Sequence, residues 1–404
     1  MRICQQGVAT QEVENNMNRK KIALVLTLAL SLAAFAAVGP MLAQERERTI
    51  PHLDHVFVIM MENHYISQIL GNPNAPYITK YAATANLANN YWGVGHPSLT
   101  NYLEVVGGSN FGIVNDNSPD WHNSNCVSTL ASPVNESTTP AVDCPIEGSG
   151  MDAATPKVDT TNEGTPAEPI YNDPIAPAKT VGISIADQLV EHGLSWKSYQ
   201  EDLPPYGADK VNNSDGLVSD VTQSEPGMPK LYAVKHNPFV YFADVQEGTD
   251  PRLSLKQTVD FHQLFADLKS GHVPNYSLIV PNQCHDQHGR GSSEMGTGCS
   301  VDQNAIAQGD AALSILIPAI KSSPAWKEGH NVIVTVWDEN DYSSLPNRVV
   351  AIVDTNYAPA GKPSGVKYSH FSLLKTIEAG FGLHYLNHAA DENVRLMSDL
   401  FGAK

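Results

Sequence analysis

The sequence predicts an α/β protein, a three-layer αβα sandwich around a largely parallel sheet. Three observations predict it. A continuous apolar run at residues 56–61, with strand patterns at 275–280, 331–337 and 348–353, suits strands buried in a parallel sheet. Helical periodicity occupies residues 183–190, 260–269, 302–320 and 368–381. Strand and helix signals alternate along the chain, the order that lays parallel strands between two helix layers.

The elements follow in order. Residues 44–52 form a short polar leader to the first strand at 56–61. Residues 76–91 read as a helix, and 98–107 as a second that starts at Ser98 behind Pro97. Residues 109–175 are rich in Asn, Ser, Thr, Asp, Pro and Gly and have little periodicity, so they read as a loop-rich excursion pinned by Cys126 and Cys144. The helix at 183–190 is stopped by Gly193, and residues 194–199 read as a strand. The helix at 260–269 ends before Gly271 and leads into the strand at 275–280. The long helix, two further strands and the closing amphipathic helix complete one domain over residues 44–404, without internal repeats.

The 404 residues are 42% hydrophobic and 17% charged, which predicts a packed core. A formal net charge of −18 argues against nucleic acid or an anionic membrane as a partner held by charge. Arg19, Lys20 and Lys21 precede an apolar run reaching residue 38, and Ala43 offers a cleavage point. Residues 1–43 therefore read as a signal peptide with an upstream extension at 1–16, and the mature chain as periplasmic or secreted, with no stable membrane span. Cys126, Cys144, Cys284 and Cys299 remain, an even number that suggests two disulfides. The short-range pairs Cys126–Cys144 and Cys284–Cys299 are expected among three connectivities. No CxxC pair is present, so a zinc–thiolate site is not expected.

Two strand runs end in oxygen donors, Glu62-Asn63 and Asp338-Glu339. Ligands of open parallel sheets bind beyond the carboxyl ends of strands. Carboxylate and amide oxygens suit Mg²⁺, Ca²⁺ or Mn²⁺. Either acidic segment alone could equally be a solvated loop; both together, with a serine between them, favour a metal. Ser98 reads in two ways, as a helix cap or as a nucleophile at a helix start that can hold phosphate. His96, His236, His285, His288 and His370 stand in motif-like surroundings, yet each taken singly reads as a structural histidine too. One of them could protonate a leaving alkoxide. A zinc site using Asp286 and His288 is an alternative that the spacing does not decide.

Several segments then match a known pattern in its order. They are MENHYISQILG, GHPSLTNYLEVVGG, SIADQLVEHGLSWKSYQEDLP, KHNPFVYF, PNQCHDQH, VWDENDYS and YSHFSLLKTIEAGFGL. Over most of residues 53–385 the chain resembles the bacterial phosphoesterase family of acid phosphatases and phospholipases C, in the alkaline-phosphatase-like superfamily. The resemblance implies one divalent metal on Glu62, Asn63, Ser98, Asp338 and Glu339, with Ser98 as the nucleophile of a phosphoseryl intermediate. It implies that His288 and His370 stabilise phosphate or assist the leaving group, and that His236 and Asp286 line the substrate site. Thr100, the Gly107-Gly108-Ser109 segment, Gln283 and Gln287 depart from the family pattern beside the expected site, which bears on substrate specificity. The expected substrate is a small phosphoester, with the polar excursion favouring a monoester. A phospholipase C-type diesterase acting on a phospholipid headgroup is the alternative, and a non-catalytic exported binding protein a second.

Overall fold

The computed structural model describes residues 50–119, 142–147, 180–203, 231–289, 303–341 and 347–402. The expected signal peptide, most of the excursion, Cys126 and Cys299 lie outside them. Cys144 and Cys284 are buried, and each is engaged in a disulfide.

The chain runs through β1 (His55–Met61), α1 (Ile66–Ile69), α2 (Pro76–Thr84), β2 (Asn86–Ala88), β3 (Tyr91–Trp92) and α3 (Ser98–Gly107). The short β4 (Ser118–Pro119) and β5 (Val142–Asp143) pair in parallel. There follow α4 (Ile185–Glu191), β6 (Trp196–Gln200), α5 (Ala243–Glu247), β7 (Thr258–Asp260), α6 (Phe261–Ser270) and β8 (Tyr276–Val280). The C-terminal part adds α7 (Gln303–Ser322), β9 (Asn331–Trp337), β10 (Arg348–Val349), β11 (Ala351–Thr355), β12 (Pro363–Ser364), β13 (Tyr368–Ser369) and α8 (His370–Phe381).

Eight strands form the main sheet in the order β12–β2–β11–β9–β1–β8–β6–β7. From β9 to β7 all neighbours are parallel, and β11 runs antiparallel to both its neighbours. Every residue of β8, β9 and β11 is buried, so helices cover both faces. The helices fall into two packed groups, α3 with α4 and α8, and α2 with α6 and α7. This is the αβα sandwich that the apolar runs predict.

Local chemistry sets the ends of these elements. Ser184 and Asp187 make a capping box at α4, Asp260 caps α6 through the Gln263 amide, and Gly271 ends α6 at φ 76°. The helix read over 76–91 stops at Thr84, because Asn86 is drawn into the sheet. Its amide donates to the Leu400 carbonyl and its oxygen accepts from the Lys362 amide. The strand read over 348–353 is split at Val350, with β10 pairing to β3 in a separate three-stranded sheet. The closing helix begins at His370 rather than residue 368, because Tyr368 and Ser369 pair with β3.

Asp244, in the first turn of α5, is pushed up to about 8 by burial and then by its hydrogen bond to, and repulsion from, Asp187. A carboxyl raised in the fold stabilises it fully below the unfolded value near 4 and progressively less as pH rises to about 8. The Asp244→Asn variant is expected to melt at or above the wild-type temperature, with a gain that grows between pH 4 and pH 8; thermal unfolding across that range checks it.

Candidate active site

Register places the site. Met61 pairs with Trp337, so the residues that leave β1 and β9 emerge side by side. The Asp338 amide donates to the Met61 carbonyl at 2.9 Å, which extends the ladder by one step. The Glu62 amide donates to the Asp286 carbonyl at 2.8 Å, which brings in the segment after β8. Asn63 then turns the chain at φ 48°, a conformation asparagine tolerates, and its amide donates to Asp338 Oδ1 at 3.1 Å. Gly93 passes so close to the Asp338 carbonyl that a Cβ there would collide with it.

Ser98 is the first residue of α3, and Pro97, not Ser98, stands at the cap position. The capping reading of the serine therefore falls away. Its hydroxyl donates to Glu62 Oε2 at 3.0 Å and lies 3.5 Å from Glu339 Oε1. One helical turn on, the Asn101 amide donates to Glu339 Oε2 at 3.0 Å and to the Gly95 carbonyl, while its oxygen accepts from the Val94 and Gly95 amides. His96 Nδ1 lies 2.9 Å from Glu339 Oε2. Glu62, Asn63, Ser98, Asp338 and Glu339 thus form one contact network.

His236 bridges the flank, with Nε2 3.1 Å from Glu62 Oε1 and Nδ1 3.2 Å from Asp286 Oδ2. The Tyr102 ring stacks on it at 5.1 Å. The His288 amide donates to Asp286 Oδ1 at 2.7 Å, and its ring lies 5.7 Å from that of His236.

His370 stands apart. Its Nε2 donates to the Asp338 carbonyl at 2.6 Å and its Nδ1 accepts from the Tyr91 hydroxyl at 3.1 Å. Both nitrogens are engaged, and burial pushes the imidazole down to about 4, which keeps it neutral. This ring holds the Asp338 backbone, an arrangement that suits positioning of Asp338 rather than the expected role at the phosphate. His370→Phe is expected to cost about 1–3 kcal/mol by orphaning buried partners. It should also weaken metal retention with Ser98 intact; thermal unfolding and elemental analysis check the two effects.

The electrostatics point to a cation. Glu62, Asp286, Asp338 and Glu339 are all buried. Burial first, then repulsion from Asp338 and Asp286, pushes Glu62 well above the usual carboxylate range. Burial and then Glu339 push Asp338 up to about 8. Among the described residues, Asn63 Oδ1 and Asp338 Oδ2 are buried without a hydrogen-bond partner. Such hard, orphaned oxygens fit a divalent ion. Among the described residues, ligand atoms of Glu62, His236 and His288 also lie within 4.8 Å of one another, a mixed nitrogen and oxygen set.

Sequence reading missed His96 and Asn101 as supports of Glu339, although Asn101 lies three residues beyond Ser98, on the same helix face. It also missed Lys235 and Asp116. Three of the four departures from the family pattern, Thr100, Gln283 and Gln287, are anchors. Thr100 Oγ1 donates to the Pro97 carbonyl, the Gln283 amide donates to the Leu231 carbonyl, and Gln287 joins Trp337 to the Ile306 carbonyl.

Comparison with known proteins gives the chain its family. A phosphatidylinositol-3-phosphatase of Mycobacterium tuberculosis is 22% identical over 385 residues, 95% of this chain and 94% of that protein. A phosphate-repressible acid phosphatase of Penicillium chrysogenum is 26% identical over 310 residues, 76% of this chain and 54% of its own length. A probable acid phosphatase of Kluyveromyces lactis is 23% identical over 344 residues, 84% of this chain and 61% of its own. The chain therefore spans little more than half of the two fungal relatives. An alkaline phosphatase superfamily structure from Vibrio parahaemolyticus superposes with TM-score 0.45 at 11% identity, covering 85% of this chain and 70% of that one. The Phosphoesterase family model matches residues 70–384, and the chain belongs to that family.

Proposed function

We propose that the protein is an exported, metal-dependent phosphoester hydrolase whose nucleophile is Ser98, acting on small phosphate monoesters through a phosphoseryl intermediate. The observation that carries this reading is the Ser98 hydroxyl, held on Glu62 Oε2 at 3.0 Å at a helix start inside a buried carboxylate cluster.

Glu62, Asn63, Ser98, Asp338 and Glu339 would hold one divalent ion, with Mg²⁺, Ca²⁺ or Mn²⁺ favoured by the oxygens and Zn²⁺ the alternative. When bound, such an ion lowers the hydroxyl pKa and offsets charge on the phosphoryl group. Glu62 accepts the Ser98 proton and aims Oγ. Asn101 and His96 fix Glu339. Asp286 and Tyr102 hold His236 beside Glu62. Ser98 Oγ bonds to phosphorus as the ester P–O bond breaks, and the departing alkoxide takes a proton, a task assigned to His288. Water then attacks the phosphoserine, restoring Ser98 and releasing inorganic phosphate.

The acid phosphatases among the relatives support a monoester. The Mycobacterium tuberculosis relative, matched over nearly its whole length, supports a second reading in which a lipid headgroup carries the phosphate. A phospholipase C-type diesterase remains the alternative. Export is supported by the charged and apolar N-terminal segment and by the disulfides at Cys144 and Cys284. Their proposed partners are Cys126 and Cys299. No helix among the described residues is long and apolar enough to cross a membrane.

The test is hydrolysis of a chromogenic phosphate monoester and a phosphocholine diester, side by side, with and without a chelator. Chelator-sensitive monoester turnover is expected. Preference for the diester would move the assignment to phospholipase C, and no turnover by folded, metal-loaded protein would move it to a binding protein.

A further inference from the structure

Lys235 is buried, and its side chain is only 7% exposed. Burying an ammonium costs several kcal/mol unless it is paired, so the position of the pair carries information. Lys235 Nζ donates to Asp116 Oδ2 at 3.0 Å and lies 3.3 Å from His288 Nε2. The other oxygen of Asp116 accepts from the Leu99 amide at 3.1 Å, one residue beyond Ser98. The loop around Asp116 is firmly held, with Asn115 donating to Asp143 and Tyr241 donating to the Asn117 carbonyl.

One carboxylate therefore spans the distance from the segment beside the serine to a buried cation. That cation already acts on the cluster, where it draws Glu62 and Asp286 down against burial. With a divalent ion bound, Glu62, Asp286, Asp338 and Glu339 can carry four negative charges, of which the ion offsets two. A phosphate entering such a site needs a further positive group, and Lys235 stands on the His236 and His288 flank where it can supply one.

We propose that Lys235 binds a phosphate oxygen of the substrate, and that Asp116 is an internal anion that competes with substrate for it. The inference rests on the phosphoesterase reading and adds a substrate-binding cation and a competitor to that same site. Asp116 keeps Lys235 oriented before substrate arrives, at the cost of affinity for phosphate.

The test uses inorganic phosphate as a competitive inhibitor of monoester hydrolysis, together with calorimetric titration of the metal-loaded, full-length protein. Asp116→Asn keeps an acceptor for the Leu99 amide and removes the charge. It is expected to tighten phosphate binding by about 3–10-fold. Lys235→Met should weaken it by about 10-fold or more, and Lys235→Arg should restore it to within about 3-fold. In the double variant the gain from Asp116→Asn should vanish, since its target is gone. A merely structural ion pair would make both single variants bind phosphate worse. Unchanged or weaker binding by folded Asp116→Asn protein overturns the proposal, as does unchanged binding by folded Lys235→Met. If Lys235→Met does not fold, the sign of the Asp116→Asn shift decides. Wild-type protein that hydrolyses the monoester while these shifts fail removes this proposal alone. Wild-type protein that neither hydrolyses nor binds phosphate removes the phosphoesterase reading with it.

Discussion

Ser98→Ala is expected to lower kcat by at least about 10³-fold, because it removes the hydroxyl held on Glu62 at the start of α3. The fold should survive. Ser98 is the first helical residue, so no cap is lost. The change deprives Glu62 Oε2 of a donor inside the core, which costs about 1–3 kcal/mol. Circular dichroism and thermal unfolding check the fold, and steady-state kinetics the loss. Turnover within tenfold of wild type by folded protein would remove the serine from the nucleophile's role. Trapping of phosphorus on residue 98 by rapid quench, seen in wild type and lost in the variant, would secure the covalent step.

Asp338→Asn is expected to have the second large effect, on metal retention. The substitution preserves shape and an acceptor for the Asn63 amide but removes the charge of a buried carboxylate. Changes in residues that merely orient ligands already cost metal sites about 10–100-fold in affinity, so loss of a ligand charge should cost more. Elemental analysis after dialysis should show wild type loaded and the variant depleted. Metal should raise the melting temperature of wild type and leave that of the variant unmoved, since only binding to the native state stabilises it. Equal metal content in the two proteins would rule Asp338 out as a ligand.

The central strands were legible because burial on both faces leaves a largely apolar run, as in residues 56–61 and 331–337. The oxygen donors were legible for the same reason, since they are the first polar residues after those runs. β2 was not, because three residues show no period and only pairing to β11 and β12 makes them a strand. The role of His370 was hidden in contacts that join positions 91, 338 and 370. Lys235 reads locally as a surface lysine, and only the fold brings it to Asp116 and His288. Spacing reveals what neighbours in sequence do together; it is silent on which distant groups occupy a ring nitrogen or an ammonium.

The placing of β1 between β8 and β9 has a consequence for how the molecule comes into being. The first strand made is the central one, and its flanking partners arrive more than two hundred residues later. Until residue 339 has been made, Glu62 has no Asp338 beside it and Ser98 no Glu339. The carboxylate cluster around Ser98 can therefore close only after most of the chain has been made. A chain of this topology folds through contacts distant in sequence, which are slow to form.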